Sequence, residues 1–185
     1  FMAYMMTQPG KKLTFMGSEI GQFKEWDFAG SVEWFLLDYE KHAALQLYNA
    51  ELNRLYLKTP ALWDQDDGWH GFSWIEADNR DESIISYRRL SSDKKEIIVV
   101  INFTPVDRPG HTIGVPEAGV YREIFNSDSR RYGGGGRGNA AMKTIGEACC
   151  GLPFSISLRL PPMSAVILEK DSEKNKVRKN KKPIK

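Results

Sequence analysis

Residues 18–38 gather many of the side chains in this sequence that are equipped for chemistry. Phe23, Trp26, Phe28, Trp34 and Phe35 are interspersed there with Glu19, Gln22, Lys24, Glu25, Asp27 and Glu33. Aromatic rings offer flat apolar faces, and carboxylates and amides offer hydrogen bonds beside them. A connection of about twenty residues is longer than usual, and long connections carry function more often than short ones. The other candidate groups promise less. Cys149 and Cys150 are adjacent. A bridge between neighbours is strained, so they read as free thiols in a reducing compartment, the cytoplasm. His42, His70 and His111 are scattered and no C-x-x-C spacing occurs, so no metal, cofactor or catalytic histidine is expected. Residues 133–136 are four consecutive glycines. Glycines of this kind can cradle phosphate, but no Lys-Ser/Thr pair or helix follows, so the loop 130–140 is expected to be mobile and exposed.

The elements that must position the 18–38 segment lie on both sides of it. The opening stretch FMAYMMTQ reads as the end of a helix, stopped by Pro9-Gly10. Residues 12–17 (KLTFMG) read as a short buried strand. Residues 39–58 form the clearest helix, with Leu45, Tyr48, Leu52 and Leu55 at three- and four-residue steps and Asp38 as N-cap. Thr59-Pro60 ends it. Beyond Pro60 the period changes. Residues 72–77, 83–90, 96–103, 120–125, 154–160 and 164–169 read as strands separated by turn signals, among them Pro109-Gly110. Ile156, Leu158 and Leu160 share one face, with Ser155, Ser157 and Arg159 on the other. Residues 97–101 are apolar on both faces, which suits a central strand covered on both sides. The fold class is therefore mainly β, an antiparallel sandwich. A lone strand-helix unit leaves open edges, so residues 1–58 are expected to be the closing unit of a larger α/β body, and the chain a piece of something longer.

Composition sets the outer limits. Of 185 residues, 41% are apolar and 27% charged, as in ordinary globular chains. No apolar run is long enough to cross a membrane as a helix. The net charge of +2 divides unevenly. Residues 171–185 hold seven Lys/Arg and two acidic residues, so residues 1–170 hold 19 and 22, a net of −3. The basic tail is expected to be disordered, and nothing upstream has the pattern of a nucleic-acid module.

Several stretches together resemble the glycogen branching enzymes (1,4-α-glucan branching enzymes), a family of the α-amylase superfamily. They are Pro9-Gly10 through Ser18-Glu19, Glu25-Trp26, Ser31 through Leu37, Leu52-Asn53-Arg54-Leu55-Tyr56 and Gly71-Phe72-Ser73-Trp74-Ile75. Further along come Asn102-Phe103-Thr104-Pro105, Gly114 through Gly119, Asn126 through Ser129, Tyr132-Gly133-Gly134 and Leu160-Pro161-Pro162. The resemblance implies that residues 11–17 are the eighth strand of a TIM barrel and 39–58 its eighth helix. The organisation it implies is 1–60 as the last unit of an incomplete catalytic barrel, 61–170 as an all-β C-terminal domain and 171–185 as the tail.

Members of that family cleave an α-1,4-glucan, hold it as a covalent glycosyl-enzyme and transfer it to a 6-hydroxyl, making the α-1,6 branches of glycogen. Such chemistry needs a nucleophilic carboxylate and an acid/base carboxyl about 5 Å apart. In the family these groups, and a third carboxylate, lie on strands before the eighth. The chain is therefore expected to hold no catalytic residue and to be inactive alone, with the missing barrel and α-1,4-glucan as its partners. Under the resemblance Glu19 either shapes the glucan cleft or holds its loop by bonds to backbone amides, and Trp26 and Trp34 stack on glucose rings or pack against the barrel. Trp74 is expected in the core beside Phe72, and Trp69 at the interface with the barrel. Asp27-Phe28 and Glu33 depart from the family's usual Asn-His and Asp. The alternatives are a non-catalytic β-sandwich that binds glucan or buttresses a barrel in another α-amylase-type enzyme, such as a debranching or trehalose-forming one. An apolar flank near residues 1–58 and self-association are also expected.

Overall fold

A computed structural model describes residues 1–171. The basic tail expected to be disordered lies, apart from Asp171, outside the described residues. Two helices, α1 (Met2–Thr7) and α2 (Glu40–Lys58), precede eight strands. The strands are β1 (Phe72–Asn79), β2 (Ile84–Leu90), β3 (Glu96–Asn102), β4 (Arg108–Val115), β5 (Val120–Asn126), β6 (Met142–Lys143), β7 (Phe154–Leu160) and β8 (Ser164–Lys170). A six-stranded sheet runs β1-β2-β3-β8-β5-β6, and β4-β7 forms a two-stranded partner. Every pairing is antiparallel.

Strand β3 shows why the two layers form. Its residues are apolar on both faces, and Ile97 to Ile101 are all buried. Ile98 and Val100 meet Ile113, Val115, Ile156, Leu158 and Leu160 of the small sheet. Ile97, Val99 and Ile101 point to the opposite face, where they join Ala3, Met6 and Leu52 of the helices. The sequence division at position 60 is thus crossed by one continuous hydrophobic cluster. Polar ties reinforce it. Thr7 Oγ1 lies 2.5 Å from the Tyr87 hydroxyl, and Glu51 of α2 accepts from the Tyr132 hydroxyl at 2.5 Å and from Arg131 Nη1 at 3.0 Å.

Arg89 is the most deeply placed of these ties. Its side chain is fully buried and donates to the carbonyls of Thr7 (2.8 Å), Gly71 (3.1 Å) and Leu62 (3.2 Å). Its remaining charge meets Asp66 Oδ1 at 2.5 Å, a carboxylate that is itself buried. A guanidinium taken out of water must have its charge and its N–H groups matched, and this site does both. One β2 side chain thereby fixes the end of α1 and the short 3-10 turns Pro60–Leu62 and Trp69–Gly71 against the sheet.

Several expectations are corrected. Residues 11–17 form no strand. They run as coil into a turn, with Leu13 82%, Phe15 59% and Met16 44% exposed, because among the described residues no strand lies beside them to share hydrogen bonds. The N-cap of α2 is Tyr39, without a side-chain bond, since Asp38 already closes the 3-10 turn Trp34–Asp38. Pro109-Gly110 is no chain reversal but a bulge inside β4. The register shifts between Pro109 and His111, and Gly110 takes φ 154°. Proline is tolerated there because β4 pairs on one side only. Trp74 is 45% exposed, packing edge-on against Phe72 and Tyr87 at the sheet rim rather than within the core.

The glycine loop is wound rather than loose. Asp128 accepts from the amides of Gly135 and Arg137, both at 2.9 Å, and its carbonyl accepts from Gly136 at 2.7 Å. A Cβ on Gly134 would lie 2.3 Å from the Asp128 carbonyl oxygen, so this glycine serves close approach and not flexibility.

Candidate functional site

The segment from residue 17 to residue 42 is built on a short turn anchored by Ile20, which is fully buried. Ser18 and Ile20 donate to the carbonyls of Phe15 and Gly17, and Gln22 donates back to Gly17 at 3.0 Å. Helix α2 holds this turn from below. His42 Nδ1 lies 2.7 Å from the Ile20 carbonyl, and Asn49 Nδ2 donates to the Glu19 carbonyl at 3.0 Å. Gln22 then ties the two limbs of the loop together. Its Oε1 accepts from the Glu33 amide at 3.0 Å, and its Nε2 donates to the Lys24 carbonyl at 2.9 Å. Lys24 Nζ reaches Asp27 Oδ2 at 2.6 Å, and Asp27 Oδ1 caps the Ala29 amide. The bond from Lys24 lowers the Asp27 pKa and raises that of Lys24.

This backbone presents its aromatic residues outward. Trp26 is 58% exposed and packs edge-on against Phe15 and tilted against Phe28. Trp34 opens the 3-10 turn Trp34–Asp38 and is 52% exposed. Phe23 sits edge-on to His42 with ring centroids 5.2 Å apart. Beside it is an open cleft of about 620 Å³ lined by Phe23, Glu33, Phe35, Leu36, Tyr39 and His42.

The sequence candidates fare unequally. Trp26 and Trp34 have the exposed faces that stacking requires. Glu19 is half-buried, and it is its backbone carbonyl, not its carboxylate, that is engaged. None of Glu19, Trp26 and Trp34 lines the cleft. Sequence reasoning assigned no positioning role to Gln22, His42 or Asn49, which hold the loop. Asn49 carried a readable signal: a polar residue inside the buried stripe of a helix needs a partner. The arrangement can take a flat, partly apolar ligand face. Among the described residues no group of three or more His, Cys, Asp or Glu is set to hold a metal ion.

Comparison with known proteins agrees with this architecture. The family described as "Alpha amylase, C-terminal all-beta domain" matches residues 74–171. The 1,4-alpha-glucan branching enzyme GlgB of Synechococcus elongatus is 46% identical over 170 residues, covering 91% of this chain and 22% of that protein. GlgB of Nitrosomonas europaea is 44% identical over 167 residues, covering 90% of this chain and 23% of its own. The chain thus spans under a quarter of the length of these relatives. Among solved structures, the α-amylase from H. orenii superposes with a TM-score of 0.54 at 17% identity, covering 92% of this chain and 34% of that one, a likeness of fold alone. The match over β1 to β8, together with the antiparallel two-sheet architecture just described, assigns the chain to the α-amylase C-terminal all-β domain family.

Proposed function

We propose that this chain serves as the β-domain end of a 1,4-α-glucan branching enzyme, acting in glycogen biosynthesis. The parent activity would be transfer of α-1,4-glucan segments to a 6-hydroxyl. The observation that carries the reading is identity of 44–46% with branching enzymes across about nine-tenths of the chain, running continuously through both the aromatic loop and the sandwich. In this reading residues 1–60 complete a catalytic barrel, and the exposed rings of Phe15, Trp26, Phe28 and Trp34 face that barrel or its glucan. Residues 61–170 buttress it. Glu19, Trp26 and Trp34 are the glucan-contact candidates, the two indoles by stacking on sugar faces. The catalytic carboxylates belong to the barrel, so the chain by itself makes no branches. Unbridged Cys149 and Cys150 support a reducing compartment, the cytoplasm.

The test is direct. Incubated with amylose, the chain leaves iodine absorbance unchanged and forms no α-1,6 linkages; branch formation would overturn the proposed division of labour. Titration calorimetry with maltoheptaose separates the two roles of the aromatic loop. Saturable heat that Trp26→Ala or Trp34→Ala abolishes supports glucan contact, and silence leaves the buttressing role.

A further inference from the structure

Outside the aromatic face, one pair of reactive side chains is unused by anything above. Cys149 and Cys150 sit in a two-residue hairpin turn before β7. Cys149 N donates to the Leu152 carbonyl at 3.0 Å, and Leu152 N returns the bond at 2.9 Å. The central residues Cys150 and Gly151 have φ of 49° and 76°, both positive, as in a type I′ turn. Cysteine is an uncommon occupant of a left-handed position, which ordinarily favours glycine or asparagine. The hairpin is braced from beneath: a Cβ on Gly114 of β4 would come within 2.1 Å of the Cys149 carbonyl oxygen. The backbone around the thiols is therefore fixed by its own bonds and by β4.

That fixed turn holds the two sulfurs side by side. Cys149 Sγ and Cys150 Sγ are 3.4 Å apart, unbonded, and Cys150 is exposed. We propose that this vicinal dithiol is a two-sulfur chelation site for thiophilic trivalent metalloid centres, the chemistry of an organic arsenoxide. Geometry decides between this and the other thing two neighbouring thiols can do. A disulfide needs sulfurs at about 2.05 Å, so the pair would have to close by well over an ångström and strain the peptide between them. A tetrahedral metal with bonds of about 2.3 Å spans two sulfurs at about 3.8 Å. A pyramidal three-coordinate centre closes its bond angles below the tetrahedral value and so spans less, towards the 3.4 Å separation already present.

The chemistry balances without an oxidant. The arsenoxide oxygen leaves as water with both thiol protons, two As–S bonds replace the As–O bonding, and no element changes oxidation state. Burial, and the neighbouring Cys150 thiol after it, push the Cys149 pKa up to about 11, so this thiol gives up its proton only as its As–S bond forms.

Phenylarsine oxide is the probe. With excess glutathione present, intact mass spectrometry of the full chain is expected to show one phenylarsenic per chain, removed by dithiothreitol. Cys149→Ser and Cys150→Ser are each expected to lose at least tenfold in retention, because one thiol competes poorly against free glutathione. Circular dichroism checks that both variants stay folded, and the result on the unmodified chain stands without them. No adduct on the unmodified chain overturns the proposal. So does an adduct that survives in both folded variants, or conversion of the pair by glutathione disulfide to a bridged form under conditions where the arsenical does not bind.

Discussion

Strand β3 and the segment 11–39 both carry many large apolar side chains, yet most of these end in opposite surroundings. Ile97 to Ile101 are at most 5% exposed, whereas Leu13, Phe23, Trp26 and Phe28 are between 58% and 85% exposed. The difference lies in the backbone. Strand β3 has β2 on one side and β8 on the other, so all its amides and carbonyls find partners and its side chains are held between two layers. The 11–39 segment spends its backbone bonds on local turns and on Gln22, Asp27, His42 and Asn49, which fix its path but bring nothing over its rings. Apolar sequence is buried only where the chain's hydrogen bonding allows another layer to close over it. A region can have its backbone path fixed by local bonds and still present exposed apolar side chains.

The sharpest way to break this contrast is at Arg89, which joins the helical part to the sheet. Arg89→Met leaves Asp66 buried and uncompensated and frees the carbonyls of Thr7, Leu62 and Gly71, so urea unfolding is expected to lose about 3–5 kcal/mol. Pairing it with Asp66→Asn should recover part of the loss, because the uncompensated charge is then gone. Next in size is Gly114→Ala, whose Cβ would collide with the fixed Cys149 carbonyl; overpacking of this kind costs about 1–3 kcal/mol, read in the same experiment.

A smaller, pH-dependent effect is expected at His111 on β4. Its ring lies 3.8 Å from Glu76 and 3.5 Å from Glu82, with Arg108 bonded to Glu82 at 2.6 Å. Burial lowers its pKa below the usual 6.5, outweighing the two carboxylates. The folded state therefore prefers the neutral ring. Stability should be full above about pH 6.5 and fall as acid protonates the unfolded chain first. Chemical denaturation between pH 7.5 and 5 should show this slope, and His111→Gln should flatten it.

The smallest expected effect on stability is in the aromatic loop. Leu13→Ser with Phe28→Ser should change unfolding free energy by less than about 0.5 kcal/mol, since neither side chain loses a buried environment. The same pair should reduce concentration-dependent light scattering if the exposed rings drive self-association. A large loss of stability there would mean the rings are packed in solution, and the contrast with β3 would fail.

The strands were legible because their pattern is local. Ile156, Leu158 and Leu160 alternate with more polar residues and are buried as that alternation requires, and residues 97–101, apolar throughout, are covered on both faces. Strand β4 was not legible, because Pro109-Gly110 carries the chemistry of a turn and only pairing with β7 turns it into a bulge. Residues 12–17 failed in the other direction: a run with strand character stays coil where no strand among the described residues pairs with it. At the candidate site, the exposed tryptophans could be named from type and loop length. Their supports could not, since Gln22 and Glu33 are eleven positions apart and Asn49 reaches thirty positions back to Glu19.

By itself the sequence determined the β-rich class, the long amphipathic helix, the reach of the aromatic loop and the kinship with glucan-branching enzymes, because each is written in residue type and short-range spacing. Tertiary structure alone decided that one hydrophobic cluster joins the helices to the sheet, that Arg89 is sealed within it and that Asn49 reaches the Glu19 carbonyl. Each of these depends on groups brought together by folding, and contact across a folded chain is not encoded in the order of neighbours.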